Sequence, residues 1–150
     1  MNFTISTLAQ SLAAYLAPVL PGVTFFENPN QQGSATPCMF LQQRYSYIKV
    51  KTSGRFLRRI GLDLTYLEDY NLPNLQQLYQ QTAETLDLVM ETFPYLDGSG
   101  DTAQLLRTYD REWRIDLDGM HYKFELQVWV DTPEDGTPME DMDYNTSVKE

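Results

Sequence analysis

The sequence predicts an α+β fold: a single domain in which a mostly antiparallel sheet is packed by two main helices. Two segments, residues 4–17 and 75–93, repeat apolar residues at helical spacing. Three others, residues 38–51, 54–67 and 104–131, are rich in aromatic and β-branched residues and read as strands. A chain of 150 residues, 42% hydrophobic, has the length to fold around one core, burying roughly two thirds of its unfolded surface.

The first helix rests on Ile5, Leu8, Ala9, Leu12 and Leu16, with Thr4 placed as its N-cap and Pro18 and Pro21-Gly22 ending it. A short strand from Val23 to Glu27 leads into "NPNQQGSATP", whose Asn, Pro and Gly content suits an exposed connection. "CMFLQQRYSYIKVK" is then a long strand, and "TSG" turns the chain into "GRFLRRIGLDLTYL". There Phe56, Ile60, Leu62, Leu64 and Tyr66 share one face, and Arg55, Arg59, Gly61, Asp63 and Thr65 the other. Arg58 falls in the apolar register near the strand's start, where a long side chain can reach past the core edge.

After "EDYNLPN", the residues Leu75, Leu78, Tyr79, Thr82, Leu86, Val89, Met90 and Phe93 form one helical stripe, closed by Pro94 and followed by a turn at "YLDGSGD". In the last pair of strands Asp118-Gly119 is a favoured two-residue turn. It pairs Leu117 with Met120, Ile115 with Tyr122 and Trp113 with Phe124, all apolar, and sets Asp116 opposite His121. These elements define a domain over residues 1–132 and leave an acidic C-terminal arm over 133–150. The arm begins as a Pro/Gly linker, but Met142, Tyr144, Thr146 and Val148 alternate with polar residues, a strand pattern suited to adding to a sheet edge on its own or a neighbouring subunit.

The formal charge of -10 argues against general nucleic-acid binding, whose affinity comes from neutralised phosphates. The charge is segregated. Residues 131–150 carry a net -6, whereas residues 28–62 carry Arg44, Lys49, Lys51, Arg55, Arg58 and Arg59 with no acid, a net +6. Such a dipolar chain is suited to binding itself. No apolar run approaches the roughly 20 residues of a membrane span, and Met1 to Gln10 lacks the layout of a signal peptide, so the expectation is a soluble protein kept inside the cell. A single cysteine, Cys38, and a single histidine, His121, leave neither an internal disulfide nor a Cys/His zinc set.

No catalytic, metal or cofactor-binding residues emerge. His121 reads as a surface cross-strand partner, Cys38 as a small core residue, and "DGSGD" as a turn, since it lacks the lysine of a phosphate loop and the ligand order of a calcium loop. The basic segment stands apart because Arg44, Arg55 and Arg59 project from adjacent strands. They form either a solvated face with local ion pairs or a contact surface for an acidic partner, a role that suits the planar, multiply donating guanidinium.

Taken in order, the N-terminal amphipathic helix, "PCMFL", "GRFLRRIGLDLTYL", "NLQQLYQQTAETLDLVM", "YKFELQVWV" and the ending "MEDMDYNTSVKE" resemble the phage tail terminator family of prophages in Gram-positive bacteria. The resemblance covers nearly the whole chain. It implies a small tail-terminator-like α+β domain that assembles as a homo-oligomeric ring, commonly of six subunits, on the tail tube protein. The ring ends tail polymerisation and faces the head-side connector protein. It implies a place in the virion tail at the head–tail junction, after assembly in the host cytoplasm, and a structural role without enzyme activity, cofactor, membrane or sequence-specific nucleic acid. From charge, the contact residues are placed at Arg44, Arg55, Arg58 and Arg59 and at Asp141, Asp143 and Tyr144 of the ending. The competing readings are a connector or tail-completion protein of the same junction, and a small enzyme or ligand-binding protein using a cleft between sheet and helix.

Overall fold

The computed structural model describes residues 3–27, 36–69, 71–96 and 104–132. Helix α1 (Ile5–Leu16) starts where expected: Thr4 is extended, and its hydroxyl accepts the Thr7 N–H at 3.1 Å, satisfying one of the donors a helix start leaves open. It buries Leu8, Leu12 and Leu16, and the Ser11 hydroxyl accepts the Leu96 N–H at 2.8 Å. Strand β1 (Thr24–Phe26) follows, and β2 (Cys38–Thr52) and β3 (Arg55–Leu67) form a long hairpin through a tight turn at Ser53-Gly54. The connection at "NPNQQGSATP" lies mostly outside the described residues, as does "DGSGD".

Helix α2 (Leu75–Val89) buries Tyr79, Ala83 and Leu86. It ends before the sequence pattern does. Phe93 and Pro94 belong to a further strand, β4 (Thr92–Tyr95), in which Phe93 and Tyr95 point inward with strand periodicity. Pro94 disfavours helical backbone at Phe93, and lacking an N–H it is tolerated because β4 is an edge strand. Strands β5 (Gln104–Asp116) and β6 (Gly119–Asp131) complete, among the described residues, a six-stranded sheet of order β1-β2-β3-β6-β5-β4, whose β1–β2 pairing is parallel and whose other described pairings are antiparallel. The α+β class, one sheet with two helices, is as the sequence predicts.

The β5–β6 turn differs from expectation. Leu117 and Asp118 form it, and Gly119 enters the strand opposite Asp116, so Trp113 pairs with Tyr122 and His121 faces Arg114. Gly119 is drawn in because it alone fits: at φ +144, a Cβ there would meet the Tyr66 carbonyl oxygen at 2.8 Å and a Leu67 methyl at 2.4 Å. The slip is an even number of residues, so each side chain keeps its face. A bulge between Tyr109 and Glu112, with Asp110 at φ 52, re-phases β5 so that Leu106 and Thr108 before it and Trp113 and Ile115 after it all lie toward the core.

One face of β3 and β6 packs with both helices. Ile60, Leu62, Leu64 and Tyr66 lie beside Leu126, Phe124, Tyr122 and Met120 in a single buried cluster with Leu8, Leu12, Ala83 and Leu86. Polar groups pin the helices to it. Asp87 near the end of α2 accepts the Tyr122 hydroxyl at 2.7 Å and the Trp113 indole N–H at 3.1 Å, and the Tyr15 hydroxyl donates to the Val89 carbonyl at 2.7 Å.

Candidate functional site

The tip of the β2–β3 hairpin runs on past this core and carries Lys49, Lys51 and Arg55, while Arg44 and Arg59 stand beside the core-lining stretch of β3. Arg55, Arg59, Gly61, Asp63 and Thr65 share the face turned away from the helices, as the alternation predicts. That face is more than a wetted surface, however, because Gly61, Asp63 and Thr65 are buried. The Arg55 guanidinium lies 4.2 Å from the Trp129 ring, and the Arg44 guanidinium 5.3 Å from the Tyr45 ring. Arg58 is on the opposite, core-side face at its rim, donating to the Ser46 hydroxyl at 2.7 Å and standing 5.8 Å from the Phe3 ring.

At the centre of the open face is Glu125, only 3% exposed. Its Oε2 accepts from the Arg59 Nε and from the Tyr45 hydroxyl at 2.6 Å, while its Oε1 is buried with no partner among the described residues. Burial alone would raise the carboxyl's pKa, but the hydrogen bonds from Arg59 and Tyr45 outweigh it and hold Glu125 below the usual carboxylate range. The same hydrogen bond raises the Tyr45 phenol, with burial adding to the effect, and that to Arg59 raises the guanidinium. Gly61 makes the arrangement possible. The Tyr45 ring lies flat over it, so close that a Cβ would stand 2.2 Å from a ring carbon.

Toward the β5–β6 turn the same face carries a second network. His121 Nδ1 lies 2.9 Å from Asp63 Oδ2 and Nε2 lies 3.1 Å from Asp118 Oδ1, while Thr65 donates to Asp63 and accepts from Gln42. Burial would lower the imidazole pKa, but hydrogen bonds to Asp118 and Asp63 raise it above its ordinary value. The half-buried His121 thus bridges two carboxylates and is not a simple surface partner of Asp116, whose oxygen is 3.9 Å away. Asp116, Asp118 and His121 present ligand-type atoms within 4.8 Å of one another, two of the three being exposed acids. The Thr65 hydroxyl near His121 is buried and committed to Asp63, so it is not presented to a substrate. A groove of about 600 Å³ between α2 and the turn is lined by Leu75, Gln76, Tyr79, Ile115, Asp116 and Leu117, with a single carboxylate among them.

The family model described as "Phage tail terminator protein" matches residues 7–138, most of the chain. The chain belongs to the phage tail terminator family. No curated protein matches it. Family membership makes this a phage tail protein that works among other tail or head proteins, and no helix among the described residues is long and apolar enough to cross a membrane.

Of the predicted contact residues, Arg44, Arg55 and Arg59 lie on or beside the open face but at separate points along it, Arg44 by Tyr45, Arg59 by Glu125 and Arg55 by Trp129 at the hairpin tip; Arg58 is on the other face, and Asp141, Asp143 and Tyr144 lie outside the described residues. The alternation of Tyr45 and Tyr47 in "QQRYSYIKVK" was a usable signal for the aromatic part of this face. Glu125 had none, because an acid in the polar register of a strand looks the same whether it is solvated or buried.

Proposed function

We propose that the protein acts as a ring that caps the tail tube, ends its polymerisation and presents a face to the head-side connector. It would do so as a structural protein, by contact and without covalent chemistry. The observation that carries this reading is the family match over residues 7–138. The structure adds a surface suited to it: exposed Tyr45, Tyr47, Ile48 and Val50 alternate along β2 with Arg44, Lys49 and Lys51, toward Arg55 at the hairpin tip. Aromatic and arginine side chains of this kind are favoured at interface centres. The complementary acidic half in the ring is the ending of the next subunit, with Asp141, Asp143 and Tyr144.

Sedimentation of the protein alone and mixed with tail tube protein, at low and high salt, tests the proposal. The expected result is association that weakens with salt, because exposed complementary charges are screened. Co-purification should be with tube protein. A chain that stays monomeric with tube protein at every salt concentration, or that co-purifies only with portal-side protein, overturns the reading.

A further inference from the structure

Strand β2 is unusually open on its outer side. Strand β1 covers it only at Cys38, Met39 and Phe40, so from residue 41 to residue 52 its outer backbone edge has no strand partner among the described residues. A flat edge of this length invites pairing, and proteins blunt such edges with bulges and cations. Both devices are present: the β2–β3 register shifts between Gln43 and Tyr45 and again between Ile48 and Val50, and the residues left over at these shifts are Arg44 and Lys49. With Lys51, they make the edge cationic, with no acid between residues 41 and 52. Two copies of this edge repel one another, whereas an acidic strand is attracted to it.

The described chain ends at the tip of the β2–β3 hairpin, within reach of that edge. The Thr132 N–H donates to the Gly54 carbonyl at 2.9 Å, and Arg55 pairs with Asp131, so β6 delivers the C-terminal residues to the tip of the β2–β3 hairpin. From there the outer side of β2 is three strand spacings away, about 15 Å. The seven residues 133–139 span up to about 24 Å when extended, enough to cross. A chain that turns back at the tip runs antiparallel to β2. The residues that follow, 140–150, contain Glu140, Asp141, Asp143 and Glu150 against Lys149, and Met142, Tyr144, Thr146 and Val148 alternate along them. Eleven residues of acidic strand pattern thus match twelve residues of basic edge in length and charge.

We propose that in the free subunit residues 140–150 add to the outer edge of β2 of their own chain as an antiparallel seventh strand. The occupant is the chain's own segment because its tether holds it near the edge at an effective concentration of order millimolar, above that of any neighbour in dilute solution. This takes its segment from the functional reading above and adds the place where that segment lies before assembly. Ring formation then passes the same strand to the next subunit, exchanging equivalent contacts at low cost.

Hydrogen exchange of the monomeric full chain tests this. The outward-facing amides of residues 41–52 should exchange at least about tenfold more slowly in the full chain than in a chain ending at Met139 or in Tyr144→Pro, with β3 and β6 amides unchanged. The protection should not depend on protein concentration. Equal rates in full and shortened chains overturn the proposal, and so does protection that fades on dilution, which assigns the edge to a neighbour's segment. The combination Glu140→Gln, Asp141→Asn and Asp143→Asn, which keeps chain length, should reproduce part of the loss, and unchanged protection there removes the charge argument. Sedimentation of the same variants reads the ring separately, so a ring that fails to form leaves the exchange result standing on its own.

Discussion

Replacing Tyr45 by Phe isolates the polar centre of the open face. Phenylalanine keeps the ring over Gly61 and removes only the hydroxyl that donates to Glu125 Oε2 at 2.6 Å. The acceptor is 3% exposed and its other oxygen has no partner among the described residues, so the loss leaves Arg59 as the one described donor. A hydrogen bond to a charged group contributes roughly 1.5–3 kcal/mol, and because Tyr45 is 36% exposed, water replaces part of it, giving an expected cost of about 1–2 kcal/mol. With a urea slope of about 2 kcal/mol per molar, the middle of the range for small domains, the unfolding midpoint falls by roughly 0.5–1 M, read from the fluorescence of Trp113 and Trp129. The deficit has a defined pH dependence. Glu125 titrates lower when folded than its ordinary 4.5, so the stability from its ionised form is present above 4.5 and is lost as pH falls through the folded value. The gap between wild type and Tyr45→Phe must therefore be steady at neutral pH and close in acid. An unchanged midpoint at pH 7, or a gap that is unaltered once the carboxylate is protonated, refutes this account.

Three further outcomes are expected. Gly61→Ala forces the Tyr45 ring off the strand, since the new Cβ would stand 2.2 Å from it; the cost is again about 1–2 kcal/mol, and it shrinks in a Tyr45→Ala background, which urea melts of the double mutant check. Asp87→Ala leaves the fully buried Tyr122 hydroxyl without its acceptor and also frees the Trp113 indole, lowering stability by about 1–3 kcal/mol, against a negligible change for Glu84→Ala on the exposed side of α2. The His121 pKa is raised on folding, so its charge-dependent contribution is full below its ordinary 6.5 and is lost as pH rises through the raised value. His121→Ala should therefore lag wild type more at pH 5.5 than at pH 9, and a gap that widens with pH contradicts the two-carboxylate bridge.

Most elements were legible because each had a periodicity of its own. The α1 cap at Thr4, the β2–β3 hairpin and the apolar face of β3 could all be read residue by residue. The errors fell where two signals competed. Phe93 fits the spacing of the α2 stripe as well as a strand, and the decision rests with Pro94, which ends helix at the preceding residue and belongs on an edge. At the β5–β6 turn, Asp118-Gly119 is favourable locally, but Gly119 is required one step later, against Tyr66 and Leu67, residues distant in sequence. The candidate site was half legible for the same reason. Charge segregation marks Arg44, Lys49, Lys51, Arg55, Arg58 and Arg59 alike, because a net charge is visible in one segment, but it does not say that Arg58 lies on the other face.

The polar centre of that site required knowing which strand lies beside which. Glu125 is set next to Arg59 and Tyr45 only because β3 separates β2 from β6, with Gly61 opposite both Tyr45 and Glu125. The arginines are thereby divided by role. Arg59 is occupied in compensating a buried carboxylate and holds the open face together, whereas Arg44, with Lys49 and Lys51, lies exposed along the β2 edge. Replacing Arg59 should cost folding stability before it costs assembly, and replacing the edge cations should do the reverse. An interface mapped by arginine substitution alone would therefore confuse the two unless each variant's unfolding midpoint were measured beside its sedimentation.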